Sequence, residues 1–190
     1  MNIILFGPYG SGKGTQGKIL AEKYNLQVFD TGEQIRYHIK NETDIGETVK
    51  AIVNRGDLVP NSVVMEIIQD FIERSDPKKG YLFDGIPRFQ EQADTFDHLL
   101  GENQIEVKRI MVNIPKDLSL ARQLKRNAEA TEKREDSTEE IAKKRIEVYH
   151  NETLPMISAY IEKGEMYEVD GTQSIEEVTG NIINYLENNY

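Results

Sequence analysis

Residues 7–15 read Gly7-Pro8-Tyr9-Gly10-Ser11-Gly12-Lys13-Gly14-Thr15, and no other stretch restricts the fold as tightly. Asn2–Phe6 before it is a short apolar run, the mark of a buried strand. Lys13–Lys23 after it has a helical pattern, with Ile19 and Leu20 on the apolar face. Glycines let the backbone between them curl until successive N–H groups point at one spot, and the helix N-terminus adds roughly half a positive charge there. Lys13 supplies a full charge for the outer phosphates of a nucleotide. Strand, glycine loop, lysine and helix, in that order, make a phosphate-binding loop.

The loop departs from the general G-x-x-x-x-G-K-[ST] pattern at one position. Gly14 follows the lysine, and the hydroxyl comes one residue later at Thr15. A glycine cannot ligate magnesium through its side chain. The spacing therefore predicts Mg²⁺ held through waters, with Thr15 on a phosphate oxygen and Asp84, at the end of an apolar strand, as the partner of those waters.

Strands and helices alternate along the rest of the chain. Gln27–Phe29 reads as a strand, and Asp30 and Thr31 as helix-start residues. Two or three helices are expected over 32–73, punctuated by Gly46, Gly56 and Pro60. Gly80–Asp84 and Lys108–Ile114 read as strands, Gln90–Leu100 and Leu118–Arg126 as helices. Ser137-x-x-Glu140 has the form of a capping box opening a long helix, which Pro155 should kink or divide. Glu165–Val169 is the last expected strand and Ser174–Asn188 the last helix. This alternation predicts an α/β fold, a parallel sheet covered on both faces, with ligands at the carboxyl ends of the strands.

Composition removes whole classes of function. The 190 residues, 38% of them hydrophobic, suffice for one globular domain. No apolar run approaches the roughly 20 residues of a membrane span. The first residues lack a basic segment, so a cytoplasmic protein is expected. The chain has no cysteine, which excludes disulfides, thiolate zinc sites and cysteine nucleophiles, and His38, His98 and His150 have no metal-ligand spacing. A net charge of −10 opposes nucleic-acid binding but permits a small polyanion where cations cluster.

The loop from Gly7 to Gln16 resembles that of the nucleoside monophosphate kinases, G-x-P-G-x-G-K-G-T-Q. The resemblance continues in order. Thr31-Gly32-Glu33-x-x-Arg36 is similar to the family's T-G-D-x-x-R, and Asp84-Gly85-Ile86-Pro87-Arg88 to its D-G-[FY]-P-R. Gln92 lies four residues later, as in the adenylate kinases. Arg122 and Arg126 match the arginines leading into the lid, and Arg134-Glu135-Asp136 resembles R-x-D. Arg145 with Tyr149-His150 resembles the helix after the lid, and Asp170-Gly171-Thr172 the late loop beside the adenine. Six of the nine arginines (Arg36, Arg88, Arg122, Arg126, Arg134, Arg145) fall at matched positions. Transfer between two polyphosphates needs such fixed cations, and the planar guanidinium grips phosphate oxygens in pairs.

The resemblance implies an adenylate kinase of the short-lid type, transferring the terminal phosphoryl group of ATP to AMP with Mg²⁺ and without zinc, in adenine nucleotide homeostasis. It implies a three-layer P-loop fold with a five-stranded parallel sheet. A core of 1–29, 60–125 and 137–190 would carry a helical monophosphate-binding insert at 30–59 and a short lid at 126–136. ATP would be held by Gly10, Ser11, Gly12, Lys13, Gly14, Thr15, Arg122, Arg126 and the backbone carbonyl of Gln173. AMP would be held by Thr31, Arg36, Asp57, Leu58, Val59, Gly85, Ile86, Pro87, Arg88, Gln92, Arg134 and Arg145. Lys13, Arg88, Arg126, Arg134 and Arg145 would carry catalysis, and Asp84 the hydrated metal. The short lid suggests a monomer, with ATP, AMP and ADP as partners and neither nucleic acid nor membrane.

Base choice rests on Thr31 and Gln92. The uridylate–cytidylate kinases look similar but usually carry alanine where Thr31 stands. An acceptor of UMP or CMP is the alternative, and a nucleotide-binding protein without turnover a more distant one. Five departures from the family pattern stand out. Tyr9 occupies the usual proline position, where it should lean on the phosphate loop and alter its stiffness. Asp30 replaces a serine, which should weaken AMP binding. Glu33 and Ile86 are milder changes. Asn127–Lys133 lacks the lid's glycine and favours helix.

Overall fold

Alternate side chains of the first strand decide the architecture. In the computed structural model, which describes residues 1–129 and 138–189, β1 spans Ile3–Phe6 and is buried throughout. Ile4 and Phe6 point into one hydrophobic core, Ile3 and Leu5 into a second. A strand apolar on both sides needs cover on both faces, and the parallel sheet provides it. The strands β2 (Gln27–Asp30), β3 (Tyr81–Asp84), β4 (Lys108–Asn113) and β5 (Met166–Asp170) join β1 in the order β2-β3-β1-β4-β5. All four pairings are parallel, with Leu5 opposite Asp84 and Ile110, and Asp30 opposite Asp84.

Helix α1 (Lys13–Tyr24) and the last helix, α9 (Ile175–Asn189), cover one face through Leu20, Val178, Ile182 and Leu186. The other face is covered by α4 (Asn61–Arg74), α5 (Gln90–Glu102) and α8 (Leu154–Glu162), with Phe83 edge-on to Phe96 at 5.1 Å. Helices α2 (Thr31–Lys40) and α3 (Asp44–Asn54) pack on each other, and α6 is Lys116–Glu129.

Three expectations change. Gly46 was expected to break the helices but lies in the first turn of α3; a Cβ there would come 2.1 Å from the His38 carbonyl oxygen, so this glycine permits the close approach of α2 and α3. The break is at 41–43, where Glu42 takes a left-handed conformation and Thr43 caps α3 by accepting from Gly46 N. The cap of α7 (Glu139–Val148) is Thr138, whose hydroxyl accepts from Ile141 N, one residue after the expected Ser137, which lies outside the described residues. A capping box occurs instead at Ser174 and Glu177: Ser174 N donates to Glu177 Oε2, and Glu177 N to Ser174 Oγ.

Pro155 divides its helix as expected. The turn before it, Tyr149–Thr153, widens into a π-helical segment between α7 and α8. Proline has no N–H to donate to the preceding turn, and the widened register absorbs that loss.

Candidate active site

In this sheet the connections from β1 lead one way to β2 and β3, and the chain later returns on the other side to β4. The crevice at the carboxyl end of β1 is where such a fold takes ligands. The phosphate loop fills it. Gly12 ends the loop with φ 101°, a left-handed conformation open to glycine, and no side chain caps α1 or places an acid in its first turn. The start of α1 is thereby open to an anion, although Thr15 N already donates to the Gly12 carbonyl at 3.0 Å. Ser11 Oγ is buried inside the loop and has no hydrogen-bond partner among the described residues.

Lys13 Nζ donates to the carbonyls of Gly7 and Pro8 at 2.7 and 3.0 Å. Burial lowers the pKa of this ammonium, and the nearby Asp84 carboxylate opposes the shift. Asp84 is shifted the other way: burial raises its pKa, and Lys13 opposes. A Cβ on Gly14 would stand 3.9 Å from Asp84 Oδ2. The hydroxyl missing at this position leaves the Asp84 carboxylate as the hard oxygen donor beside the loop, a donor type that suits a hydrated Mg²⁺.

The loop is tethered at long range. Ser119 Oγ donates to the Tyr9 carbonyl at 2.6 Å, and Arg122 Nη1 reaches the carbonyls of Gly10 and Gly171. The buried Gln16 side chain donates to Ile175 O at 3.1 Å and accepts from the Thr179 hydroxyl at 2.8 Å.

One cleft of about 650 Å³ runs from this loop to the ends of β2 and β3. Its lining includes the expected ATP-binding candidates Gly10–Thr15, Arg122 and Arg126, the expected AMP-binding candidates Thr31, Arg36, Asp57, Leu58, Val59, Gly85, Ile86, Pro87, Arg88, Gln92 and Arg145, and Asp84. Gln173 is exposed outside the cleft lining, its side-chain oxygen accepting from Asn181 Nδ2. Arg134 lies outside the described residues, as does most of the lid. The part described, Asn127–Glu129, continues α6 as the sequence favours.

Arg88 is held on every side. Its Nε donates to Gly85 O at 2.7 Å and its Nη1 to the Tyr9 hydroxyl at 2.5 Å. Its backbone N–H goes to Gln92 Oε1 at 2.8 Å, and its carbonyl accepts from Thr153 Oγ1 at 2.7 Å. The Ile86–Pro87 peptide beside it is cis. Thr31 Oγ1 donates to Asp84 O at 3.2 Å. Thr31 and Gln92 are both buried, and the Gln92 amide nitrogen makes no hydrogen bond with a described residue. Sequence reasoning missed Thr153 and Ser119, whose partners lie 65 and 110 residues away. No local pattern signals such contacts.

A phosphate loop at the switch point of a parallel sheet, facing a second set of arginines across one cleft, defines a P-loop phosphotransferase with a donor and an acceptor half. The chain belongs to the adenylate kinase family: the family's sequence model, "Adenylate kinase", matches residues 5–165. It is 36% identical to an adenylate kinase of Bifidobacterium longum over 188 residues, covering 98% of this chain and 100% of the relative. It is 35% identical to one of Flavobacterium psychrophilum over 188 residues, covering 99% of each. With one of Clostridium novyi the identity is 34% over 213 aligned positions, 98% of this chain and 99% of the relative. The 190-residue chain is of the short-lid type. It is a nucleoside monophosphate kinase with adenylate kinase function.

Proposed function

We propose that this cleft transfers the terminal phosphoryl group of ATP to AMP, giving two ADP, with the residue roles implied by the family motifs. What carries the reading is the single cleft in which Lys13 and the phosphate loop face Arg36, Arg88 and Arg145. The phosphate loop and Lys13 hold the donor phosphates, with Arg122 beside the adenine and Arg126 reaching in from the lid. Arg36 and Arg88 hold the AMP phosphate, and Arg145 and Arg134 bridge donor and acceptor. An AMP phosphate oxygen attacks the terminal phosphorus, and the bond to the β–γ bridging oxygen breaks. The attacking AMP oxygen is already ionised, so no general base is required; the β-phosphate of the departing ADP takes the electron pair of the broken bond, and catalysis is alignment and charge neutralisation. Mg²⁺, held through water by Asp84, would neutralise charge on the donor phosphates.

The inserts 30–59 and 126–136 close over the two nucleotides and exclude water. Asp57, Leu58 and Val59 line the base pocket, and Gln173 presents its carbonyl to the donor adenine. With its oxygen on the Arg88 N–H, Gln92 has its amide protons to offer a base. Adenine and cytosine present a ring-nitrogen acceptor at that edge, whereas uracil presents an N–H. On the same reading the protein works as a cytoplasmic monomer.

The test is ADP formation from ATP with Mg²⁺ and AMP, UMP, CMP, dAMP or GMP offered separately. AMP should exceed UMP in kcat/KM by a hundredfold or more, about the discrimination expected of a buried polar pocket. Preference for UMP or CMP would keep the mechanism and overturn the Thr31–Gln92 pocket. Tight ATP binding with no turnover on any acceptor would overturn the residue roles.

A further inference from the structure

Tyr9 stands where this family usually has proline, and its side chain contacts two arginines of the cleft. Its ring centroid lies 5.4 Å from the guanidinium carbon of Arg88 and 5.4 Å from that of Arg145. Its hydroxyl accepts from Arg88 Nη1 at 2.5 Å. The ring, expected to lean on the phosphate loop and alter its stiffness, bridges from the loop to the acceptor arginines.

We propose that Tyr9 is a positioning residue, whose ring and hydroxyl hold Arg88 and Arg145 together at the place where the acceptor phosphate is gripped. The inference rests on the reading that Arg88 holds that phosphate and that Arg145 bridges it to the donor.

Two guanidinium groups converging on an empty site repel each other. A carboxylate could hold both, but it would cancel their charge and oppose the incoming phosphate. An aromatic face attracts cations through its quadrupole and remains neutral. The ring therefore sets the positions of the two guanidinium groups without adding negative charge where the phosphate binds. Tyr9 can do this because its own backbone is fixed: its carbonyl accepts from Ser119 Oγ, and Ser119 is fully buried with Gln123 Nε2 at 3.3 Å. Arg88 is fixed in turn by Gly85, Gln92 and Thr153. Its contacts to Gly85 and Tyr9 use two of the five guanidinium donors, which leaves three for phosphate oxygens. The donor loop and the acceptor clamp thus share one rigid connection.

The test is steady-state kinetics of the intact enzyme carrying Tyr9→Phe, Tyr9→Ala, Arg88→Ala and the double change Tyr9→Phe/Arg88→Ala, each checked by thermal melting. Tyr9→Phe keeps the ring and loses the charge-assisted bond, so kcat/KM for AMP should fall about fivefold. Tyr9→Ala also loses both cation–π contacts and should cost about thirtyfold. The ATP KM should stay within about twofold in both, because the loop backbone is unchanged. In the Arg88→Ala background, Tyr9→Phe should cost nothing further, since its hydroxyl acts through Arg88. An ATP KM that rises as much as the AMP KM, or Tyr9→Phe and Arg88→Ala losses that simply multiply, would overturn the inference. If Tyr9→Ala fails to fold, Tyr9→Phe and the double variant decide alone. If Arg88→Ala itself leaves kcat/KM for AMP unchanged, the underlying reading of the clamp is what fails.

Discussion

Burial of the Lys13 ammonium lowers its pKa from that of a free lysine, and the bound polyphosphate of ATP would raise it again. The free enzyme should therefore lose its loop cation as pH rises through a value below the usual ~10.4. The kcat/KM for ATP, which reports the free enzyme, should fall on the alkaline side earlier than kcat does. Lys13→Arg should abolish that limb, because guanidinium stays charged; a limb that persists unchanged would belong to another group. At Gly85, with φ 81°, an alanine Cβ would also sit 2.9 Å from Arg88 Nη2. Gly85→Ala should cost about 1–2 kcal/mol in denaturant unfolding and raise the AMP KM. Asp30 caps α2 by accepting from Glu33 N at 2.8 Å, and its Oδ1 lies close to Gly32, as does Arg36 Nη1. Asp30→Ser keeps a cap and removes a charge that competes with the AMP phosphate. The AMP KM should drop roughly two- to fivefold, as for a partly screened charge, with stability nearly unchanged. An unaltered KM would dismiss the competition.

The segment from α7 through the π-turn to α8 brings Arg145, Tyr149 and Thr153 to the same cleft. Thr153→Val keeps the shape and strands the Arg88 carbonyl, so it should cost about 1–2 kcal/mol on unfolding and weaken AMP capture. Loss of stability without any change in AMP kinetics would confine Thr153 to packing. Elements of this kind were largely legible in the sequence, because each is written in local chemistry: the apolar run of β1, Asp30 before α2, Pro155 inside the long helix. Errors arose where local signals compete. Gly46 looks like a breaker, yet it serves the approach of α3 to His38. Ser137 and Thr138 are both good caps, and the backbone selects Thr138. The motif positions of the cleft could be read from order and spacing. The bonds that fix them, from Thr153 to Arg88 and from Ser119 to Tyr9, join residues far apart and become visible only in three dimensions.

At the scale of the whole molecule, a chain of net charge −10 presents a cleft lined by Lys13, Arg36, Arg88, Arg122, Arg126 and Arg145. The two fields have different reach. The acidic surface acts on an approaching nucleotide across the molecule, the cleft cations only at short range. Screening lengths shrink from about 30 Å at 0.01 M salt to about 8 Å at 0.15 M. Added salt should first remove the distant repulsion and then weaken the local attraction. The kcat/KM for ATP should therefore pass through a maximum with ionic strength. A steady decline from the lowest salt would mean that the cleft dominates at every distance. Light scattering should find a single species near the chain mass of 21.8 kDa, and a dimer would refute the monomer reading.

The Gln16 side chain, one residue beyond the phosphate loop, is held by Ile175 and Thr179 of the last helix. The support follows the loop by 159 residues of chain, so the loop leaves the ribosome well before it. A nascent chain that ends before residue 175 carries every arginine of the site but lacks α9, which seats α1 on the sheet. Such a chain should bind ATP poorly, so that nucleotide capture waits until α9 has been made.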